Sequence, residues 1–285
     1  MGVHGEPVSN RSSSATATHP TRVPSDVPFF TALLLLSASY ALLLLGMLVA
    51  MGSFTSPVHL WAAVQSEEII YATRLSLLSC SMAAIWAVWV AVPIGYLMSR
   101  YKFAGKNFVD ALFDIPIVLP PLVIGLALLI LFQTQVGQFF ENLVPGGITF
   151  AVPAVILAQF MVATAFAIRT MRVTFDGINP RTEQVALTLG CNRSQAFWQV
   201  VLPETRNGVV TAGTLAWARA LGEFGPILVF AGATRMRTEV LPTSVFLELS
   251  VGNIEAAVAV SLIMVCLAMI VLVIARVFGM HDLFL

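Results

Sequence analysis

Two side chains of opposite charge lie inside a long apolar stretch, residues 208–232. Arg219 and Glu223 are four residues apart, so on a helix they share one face and can form an ion pair. A lone charge at the centre of a bilayer costs at least about 2.5–3.5 kcal/mol on insertion scales, and such side chains are expected to face protein or water. Two interpretations are open: a mutually neutralising structural pair, or a functional pair that supplies positive potential to an anion pathway or latches two protomers together.

Glycines accompany this pair and would allow neighbouring helices to approach closely. Packing is one role for them. A second possible role is to line a translocation pathway. We assign Arg219, Gly222, Glu223 and Gly225 to this candidate pathway.

Other chemistry has little support in the sequence. The four histidines and three cysteines are scattered, so no catalytic or metal-binding site is predicted. A phosphate-binding loop of the form GxxxxGK[ST] is missing: the nearest fragment, Gly105-Lys106-Asn107, lacks the first glycine and the hydroxyl residue. The chain is therefore predicted to be no enzyme and to bind no cofactor, and any ATP and Mg²⁺ would be bound by a separate polypeptide.

Composition indicates that these residues lie in a membrane protein. Of the 285 residues, 58% are hydrophobic and 11% are charged, whereas soluble domains have roughly 25% charged residues. The 15 basic and 15 acidic residues balance, so no global basic field suggests nucleic acid as a partner. An all-α polytopic membrane protein is predicted.

Apolar runs long enough to cross a bilayer predict six transmembrane helices. Residues 1–27 are rich in Ser, Thr and Pro and are predicted to form a disordered cytoplasmic tail. The next run exceeds the apolar core of a signal peptide, which favours a retained first helix, residues 28–52, over a cleaved leader. Pro93 and the pair Pro120-Pro121 are expected to kink or interrupt their helices. The six runs are residues 29–51, 69–98, 111–132, 150–168, 208–232 and 254–278.

Basic residues are distributed unequally between the connecting segments. Residues 52–68 and 133–147 contain no Lys or Arg, while residues 99–110 and 169–206 contain eight. The positive-inside rule then places both termini, including the short tail 279–285, in the cytoplasm.

The cytoplasmic loop between the fourth and fifth runs, residues 173–205, is the most informative segment. Asn179 and Pro180 form a good N-cap and first turn, and Gly190 is a natural C-terminal stop, which together predict a helix of about ten residues. A second short helix is predicted over residues 194–201, ended by Pro203. A membrane-interfacial amphipathic hairpin is an equally good explanation on periodicity alone.

The spacing in this loop resembles that of the signature loop of ABC importer permeases. The pattern of that signature is E-A-A, three residues, G, nine residues and then I-x-L-P. The spacing is intact, but Gln184 replaces the glutamate and Val185 the first alanine, while Glu183 stands one residue earlier. The resemblance implies a coupling helix that fits a groove of the ATPase subunit. The residues carried over for coupling are Glu183, Gln184, Ala186 and Gly190, with Phe197, Leu202 and Pro203 as supporting structure.

A second segment, ARALGEFGPILVFAG at residues 218–232, resembles the fifth membrane helix of the molybdate, tungstate and sulfate branch of these permeases. The resemblance covers roughly residues 65–278, a permease core of five transmembrane helices. Pro226 departs from the small residue expected after the second glycine, which leaves the local helix path open.

The resemblance implies a type I ABC permease subunit in the inner membrane, with molybdate or tungstate as the expected substrate and sulfate or thiosulfate as the alternative. Its expected partners are two ATPase subunits, an extracytoplasmic solute-binding protein, a second permease protomer of the same or a different kind, and lipid. Two other classes stay open: an ion-coupled secondary transporter, which would need titratable residues in several spans, and a membrane scaffold, which would need no coupling loop.

Overall fold

The computed structural model describes Gly2 and residues 26–280, and in that part of the chain all regular structure is helical, as predicted. The predicted tails, residues 1–27 and 279–285, fall almost entirely outside the described residues. The helices are α1 (Val27–Phe54), α2 (Pro57–Gln65), α3 (Glu67–Arg100), α4 (Lys106–Val118), α5 (Pro121–Gln133), α6 (Gln135–Leu143), α7 (Val152–Gly177), α8 (Pro180–Thr188), α9 (Arg193–Ala196), a π-helix (Phe197–Val201), α10 (Leu202–Glu204), α11 (Arg206–Leu221), α12 (Gly225–Phe230), α13 (Leu241–Ser250) and α14 (Ile254–Met280).

The chain divides into two units, residues 1–49 and 50–285. Most of helix α1 lies in the first unit, and its 28 residues include no acidic or basic side chain. At 1.5 Å per residue it is about 42 Å long, more than the hydrocarbon thickness of a bilayer. The long apolar helix predicted here is confirmed.

Four helices of the described chain are long and apolar enough to cross a membrane: α1, α3, α7 and α14. A fifth candidate is the pair α4 and α5, which together pass the same test but are bent by 111° at the break between them. The predicted crossing over residues 208–232 is divided into the shorter helices α11 and α12. Six crossings therefore stay a prediction, five of which coincide with these apolar helices.

The proline predictions have mixed outcomes. Pro120 lies in the break between α4 and α5, so the interruption predicted there is confirmed. Pro93, in contrast, lies inside the 34-residue helix α3 without interrupting it. A proline removes only one donor from the helical ladder, and in this case the rest of α3 is held by its long contact with α7.

Helices α3 and α7 form the centre of the second unit through small side chains. Ala87 and Ala91 of α3 and Ala163 and Ala167 of α7 are fully buried. A Cβ atom at Gly95 would lie 2.8 Å from the Cβ of Met171 on α7, so the two backbones approach too closely for any side chain there. Close packing through small residues is a common way for membrane helices to associate.

Two helix breaks meet on the other side of α7. A Cβ atom at Gly125 of α5 would lie 2.7 Å from the Cα of Pro226, and one at Gly225 would lie 3.0 Å from the backbone nitrogen of Leu122. The interrupted pair α4–α5 thus packs directly against the interrupted pair α11–α12. Broken helices at membrane depth leave backbone groups that protein or a water-filled path must satisfy.

Candidate functional site

The predicted helix of the cytoplasmic loop is confirmed as α8, and both of its ends are rigidly capped. The Asn179 side chain accepts a hydrogen bond from the Arg181 backbone nitrogen. At the other end the amide of Gly190 donates to the Leu187 carbonyl and the amide of Cys191 to the Ala186 carbonyl, both at 3.1 Å. These two bonds form a Schellman motif, which requires a left-handed residue at the Gly190 position, where φ is 96°.

The second short helix of the loop is also confirmed, but it does not end where predicted. Asn192 and Gln195 form a capping box at the start of α9. Helical structure then continues through the π-helix and α10, in which Pro203 occupies a first-turn position. Pro203 does not end this stretch, because helical structure runs past it and the amide of Thr205 still donates to the Val201 carbonyl at 3.1 Å.

The face of α8 that points away from the protein is apolar. Leu189 is 81% exposed, Val185 is 55% exposed, and Gln184 beside them is exposed as well. A shallow groove of about 420 Å³ runs along this face. It is lined by Arg181, Thr182, Val185, Ala186, Leu189 and Val200. Exposed apolar side chains beside a groove are typical of a protein-binding surface.

Glu183 of α8 faces the opposite way and is buried within the chain, and Ala186, which borders the groove, is buried as well. The Tyr96 hydroxyl donates to Oε1 of Glu183 at 2.6 Å, and Nε of Arg100 lies 3.5 Å from its Oε2. Sequence reasoning missed Tyr96 and Arg100, because they precede Glu183 by more than 80 residues and only the folded chain brings them together. An aromatic and a basic residue at the end of a predicted span were the available signal.

Aromatic rings extend this contact toward the membrane helices. The ring of Tyr96 meets Phe197 of the π-helix at a centroid distance of 4.8 Å and Phe175 of α7 at 5.6 Å, both edge to face. Such pairs add directional packing to the burial of apolar area. Phe197 and Leu202, predicted as supporting structure, are half-buried, while Pro203 is exposed.

The candidate pathway residues gather at the break between α11 and α12. Arg219 and Glu223 form the predicted ion pair, with Nη1 and Oε2 separated by 2.7 Å. Glu223 is buried, whereas the Arg219 side chain is 29% exposed and lies over the Phe166 ring, 5.7 Å from its centroid. The guanidinium of Arg219 is therefore held by Glu223 and Phe166 and is still partly exposed.

A second charged cluster lies at the other end of α3. Arg235 forms ion pairs with Glu68 and Glu248, the latter at 2.7 Å, and Asn253 donates to Glu248 at 3.0 Å. These groups line a cavity of about 480 Å³. The hydrogen bond to Glu248 raises the pKa of Arg235, and burial raises the pKa of the neighbouring Glu239 carboxyl. The cluster was not predicted from the sequence.

Metal binding finds no support in the part of the chain that the structure describes. Among those residues no three His, Cys, Asp or Glu side chains come together in a way that could hold an ion. The groups that do come together are a capped helix with an exposed apolar face, and ion pairs at a helix break and at the far end of α3. Such an arrangement suits mechanical coupling and solute passage.

Two characterised types of permease are similar in sequence to most of this chain. The sulfate transport system permease protein CysT of Salmonella typhimurium is 30% identical over 233 residues, covering 81% of this chain and 84% of the relative. The molybdenum transport system permease protein ModB of Escherichia coli K12 is 32% identical over 209 residues, covering 72% of this chain and 91% of the relative. Both alignments exceed two thirds of either protein.

Solved structures show the same fold. A chain of a bacterial alginate ABC transporter, in complex with an alginate-bound periplasmic protein, superposes with a TM-score of 0.72 at 15% identity and covers 90% of this chain. The family model for the binding-protein-dependent transport system inner membrane component matches residues 91–280, more than half of the chain. The chain therefore belongs to this family, the permease subunits of ABC importers, which are transport components served by a separate ATPase subunit.

Proposed function

We propose that this permease imports a tetrahedral oxyanion, molybdate or tungstate in the first place and sulfate or thiosulfate in the second. The names of the two relatives support the oxyanion class, and the GEFG segment at residues 222–225 supports the same branch. A binding protein outside the membrane would deliver the anion, as the family description implies. Two permease protomers, identical or different, would enclose the pathway.

The observation that carries the mechanism is the capped helix α8 with its exposed apolar face. Gln184, Val185 and Leu189 are exposed there, and both ends of the helix are locked by hydrogen bonds. We assign this face to a groove of an ATPase subunit, one per permease protomer, which would bind ATP and Mg²⁺. A rigid helix transmits a displacement of the ATPase without absorbing it.

Helix α11 provides a route from that contact to the pathway. It begins at Arg206, directly after the coupling loop, and its 16 residues span about 24 Å. Arg219 lies near its far end, at the break that precedes α12. A tilt imposed at the loop would therefore move the ion pair and the break beside it, which is the alternating access that a two-state importer needs.

The ion pair itself suits an anion pathway. Glu223 is buried and holds the guanidinium of Arg219, while the exposed part of Arg219 presents positive charge at membrane depth. Gly222 and Gly225 flank the break: a Cβ atom at Gly222 would meet nothing closer than 3.9 Å, whereas Gly225 lies in close contact with α5. We assign both termini to the cytoplasm, so that the coupling loop faces the cytoplasm and the Arg235 cluster faces the binding protein.

Uptake into proteoliposomes tests these assignments. The purified chain alone should import neither labelled molybdate nor labelled sulfate. With its cognate ATPase and binding protein, uptake should require ATP, and unlabelled molybdate should compete better than unlabelled sulfate. Uptake driven by an ion gradient without the ATPase would support a secondary transporter instead, and ATP-dependent uptake of a neutral solute would refute the oxyanion assignment.

A further inference from the structure

We propose that Glu183 is an internal positioning residue, which ties the coupling helix α8 to the cytoplasmic end of α3, and not a residue that binds the ATPase. This inference rests on the proposed docking of the loop on an ATPase subunit. It separates two neighbouring residues of the same short helix by their roles: Gln184 faces the partner, and Glu183 faces the membrane helices.

The burial and contacts of Glu183 carry the first step. Its side chain is 11% exposed, and that of Arg100 beside it is 10% exposed. Both carboxylate oxygens point at groups of α3: Oε1 accepts the 2.6 Å hydrogen bond from Tyr96, and Oε2 faces Nε of Arg100. A carboxylate enclosed in this way has no oxygen left to present to a protein docked on the outer face of α8.

The partners of Glu183 connect it with two membrane helices at once. Arg100 also donates from Nη2 to the Ile178 carbonyl at 3.2 Å, directly after the end of α7. Tyr96 packs against Phe175 of α7 and Phe197 of the π-helix. Glu183 is therefore the one residue of α8 through which hydrogen bonds and charge lead to the ends of both α3 and α7 in the described structure.

The contact between Arg100 and Glu183 is an ion pair in which the Nε hydrogen bond is not formed. Nε of Arg100 is buried and has no hydrogen-bond partner among the described residues, although Glu183 Oε2 is only 3.5 Å away. A buried donor without an acceptor is unfavourable. A shift of α8 toward α3 by a few tenths of an ångström would complete this bond. Pressure from a docked ATPase on the outer face of α8 would drive that shift and pull the end of α3 with it.

Three single variants of the assembled transporter, and the double variant Tyr96→Phe/Glu183→Ala, test this role in proteoliposomes. Glu183→Ala removes both contacts, Tyr96→Phe removes one hydrogen bond but keeps the ring packing, and Gln184→Ala is the control on the outer face. The measurements are the amount of ATPase that co-purifies, the rate of ATP hydrolysis, and molybdate uptake per ATP hydrolysed. Because Tyr96→Phe keeps the aromatic contacts, it reports on the hydrogen bond even if Glu183→Ala assembles poorly.

We expect Glu183→Ala to retain wild-type amounts of ATPase while uptake per ATP falls about tenfold or more, the effect of one buried charge-assisted contact. Tyr96→Phe should lower the same ratio to a smaller extent. The double variant should be no worse than Glu183→Ala alone, because Tyr96 acts through Glu183. Gln184→Ala should instead reduce the amount of bound ATPase, which is the loss that Glu183→Ala is expected not to show.

Two results would overturn the inference. One is loss of ATPase from Glu183→Ala to the same extent as from Gln184→Ala, which would make Glu183 a docking residue. The other is a double variant whose effects simply add, which would mean that Tyr96 and Glu183 act separately. Failure of the proposed function would look different, since the wild-type chain itself would then bind no ATPase.

Discussion

Replacement of Gly190 is the sharpest test of the coupling helix, because its effect is purely conformational. The residue has φ of 96°, and a Cβ atom added there would meet nothing within 4 Å. An added Cβ atom therefore causes no clash within this chain, but it disfavours the left-handed backbone that closes the Schellman motif. The matched control is Gly177, the last residue of α7, which also has open space for a Cβ atom but no positive φ.

The magnitude follows from the left-handed conformation. For a residue with a Cβ atom it costs roughly 1–2 kcal/mol, and a β-branched side chain makes it worse. If the backbone relaxes instead, the two capping hydrogen bonds are lost, at about 0.5–1.5 kcal/mol each. The first route corresponds to about a 5–30-fold change in the population of the rigid loop, and the backbone relaxes by the second route only where that costs less. Gly177→Ala, by contrast, should be neutral or stabilising by up to about 1 kcal/mol.

Proteoliposomes containing the complete transporter provide the assay. We expect Gly190→Ala to lower molybdate uptake per ATP hydrolysed by roughly the 5–30-fold given by the loop population, and Gly190→Val to lower it further. Both variants should insert into the membrane at wild-type levels. Wild-type coupling in Gly190→Val, or equal effects of Gly190→Ala and Gly177→Ala, would refute the view that the left-handed cap is needed for coupling.

Three further predictions address the membrane core and the far end of α3. Arg219→Ala should reduce oxyanion uptake by about tenfold more than it reduces the assembled complex, since the variant removes the cation that pairs with buried Glu223; equal losses would favour a purely structural pair. Gly125→Ala should lower the thermal midpoint in detergent by separating α5 from Pro226, at a cost of about 1–3 kcal/mol, and an unchanged midpoint would contradict the close contact. Burial raises the pKa of Glu239 in the folded protein above its ordinary value of 4.5. The folded protein therefore loses stability as the pH rises from 4.5 to that raised pKa, because the unfolded chain releases the proton first. Glu239→Gln should therefore flatten the pH dependence of the thermal midpoint and raise the midpoint at neutral pH, and a steeper dependence would count against this assignment.

Local chemistry along the chain was enough to predict much of this protein. Membrane helices require about 20 apolar residues in a row, so long runs such as residues 29–51 were visible without a fold. Caps are equally local, because Asn179, Pro180 and Gly190 act within one turn of the helix they delimit. The ion pair of Arg219 and Glu223 followed from their separation of four residues.

The three-dimensional arrangement decided which way those residues face and where the helices break. Glu183 and Gln184 are neighbours in the sequence, yet only packing against Tyr96 and Arg100 shows that one is buried and the other exposed. Every proline lacks a backbone N–H and therefore disfavours the interior of a helix to the same local extent. Pro93 stays inside a continuous helix because α7 packs along that helix, whereas Pro120 lies at a break that packs against a second broken helix. Long-range contacts of this kind depend on the whole fold, because the free energy that fixes them is contributed by residues far away in the chain.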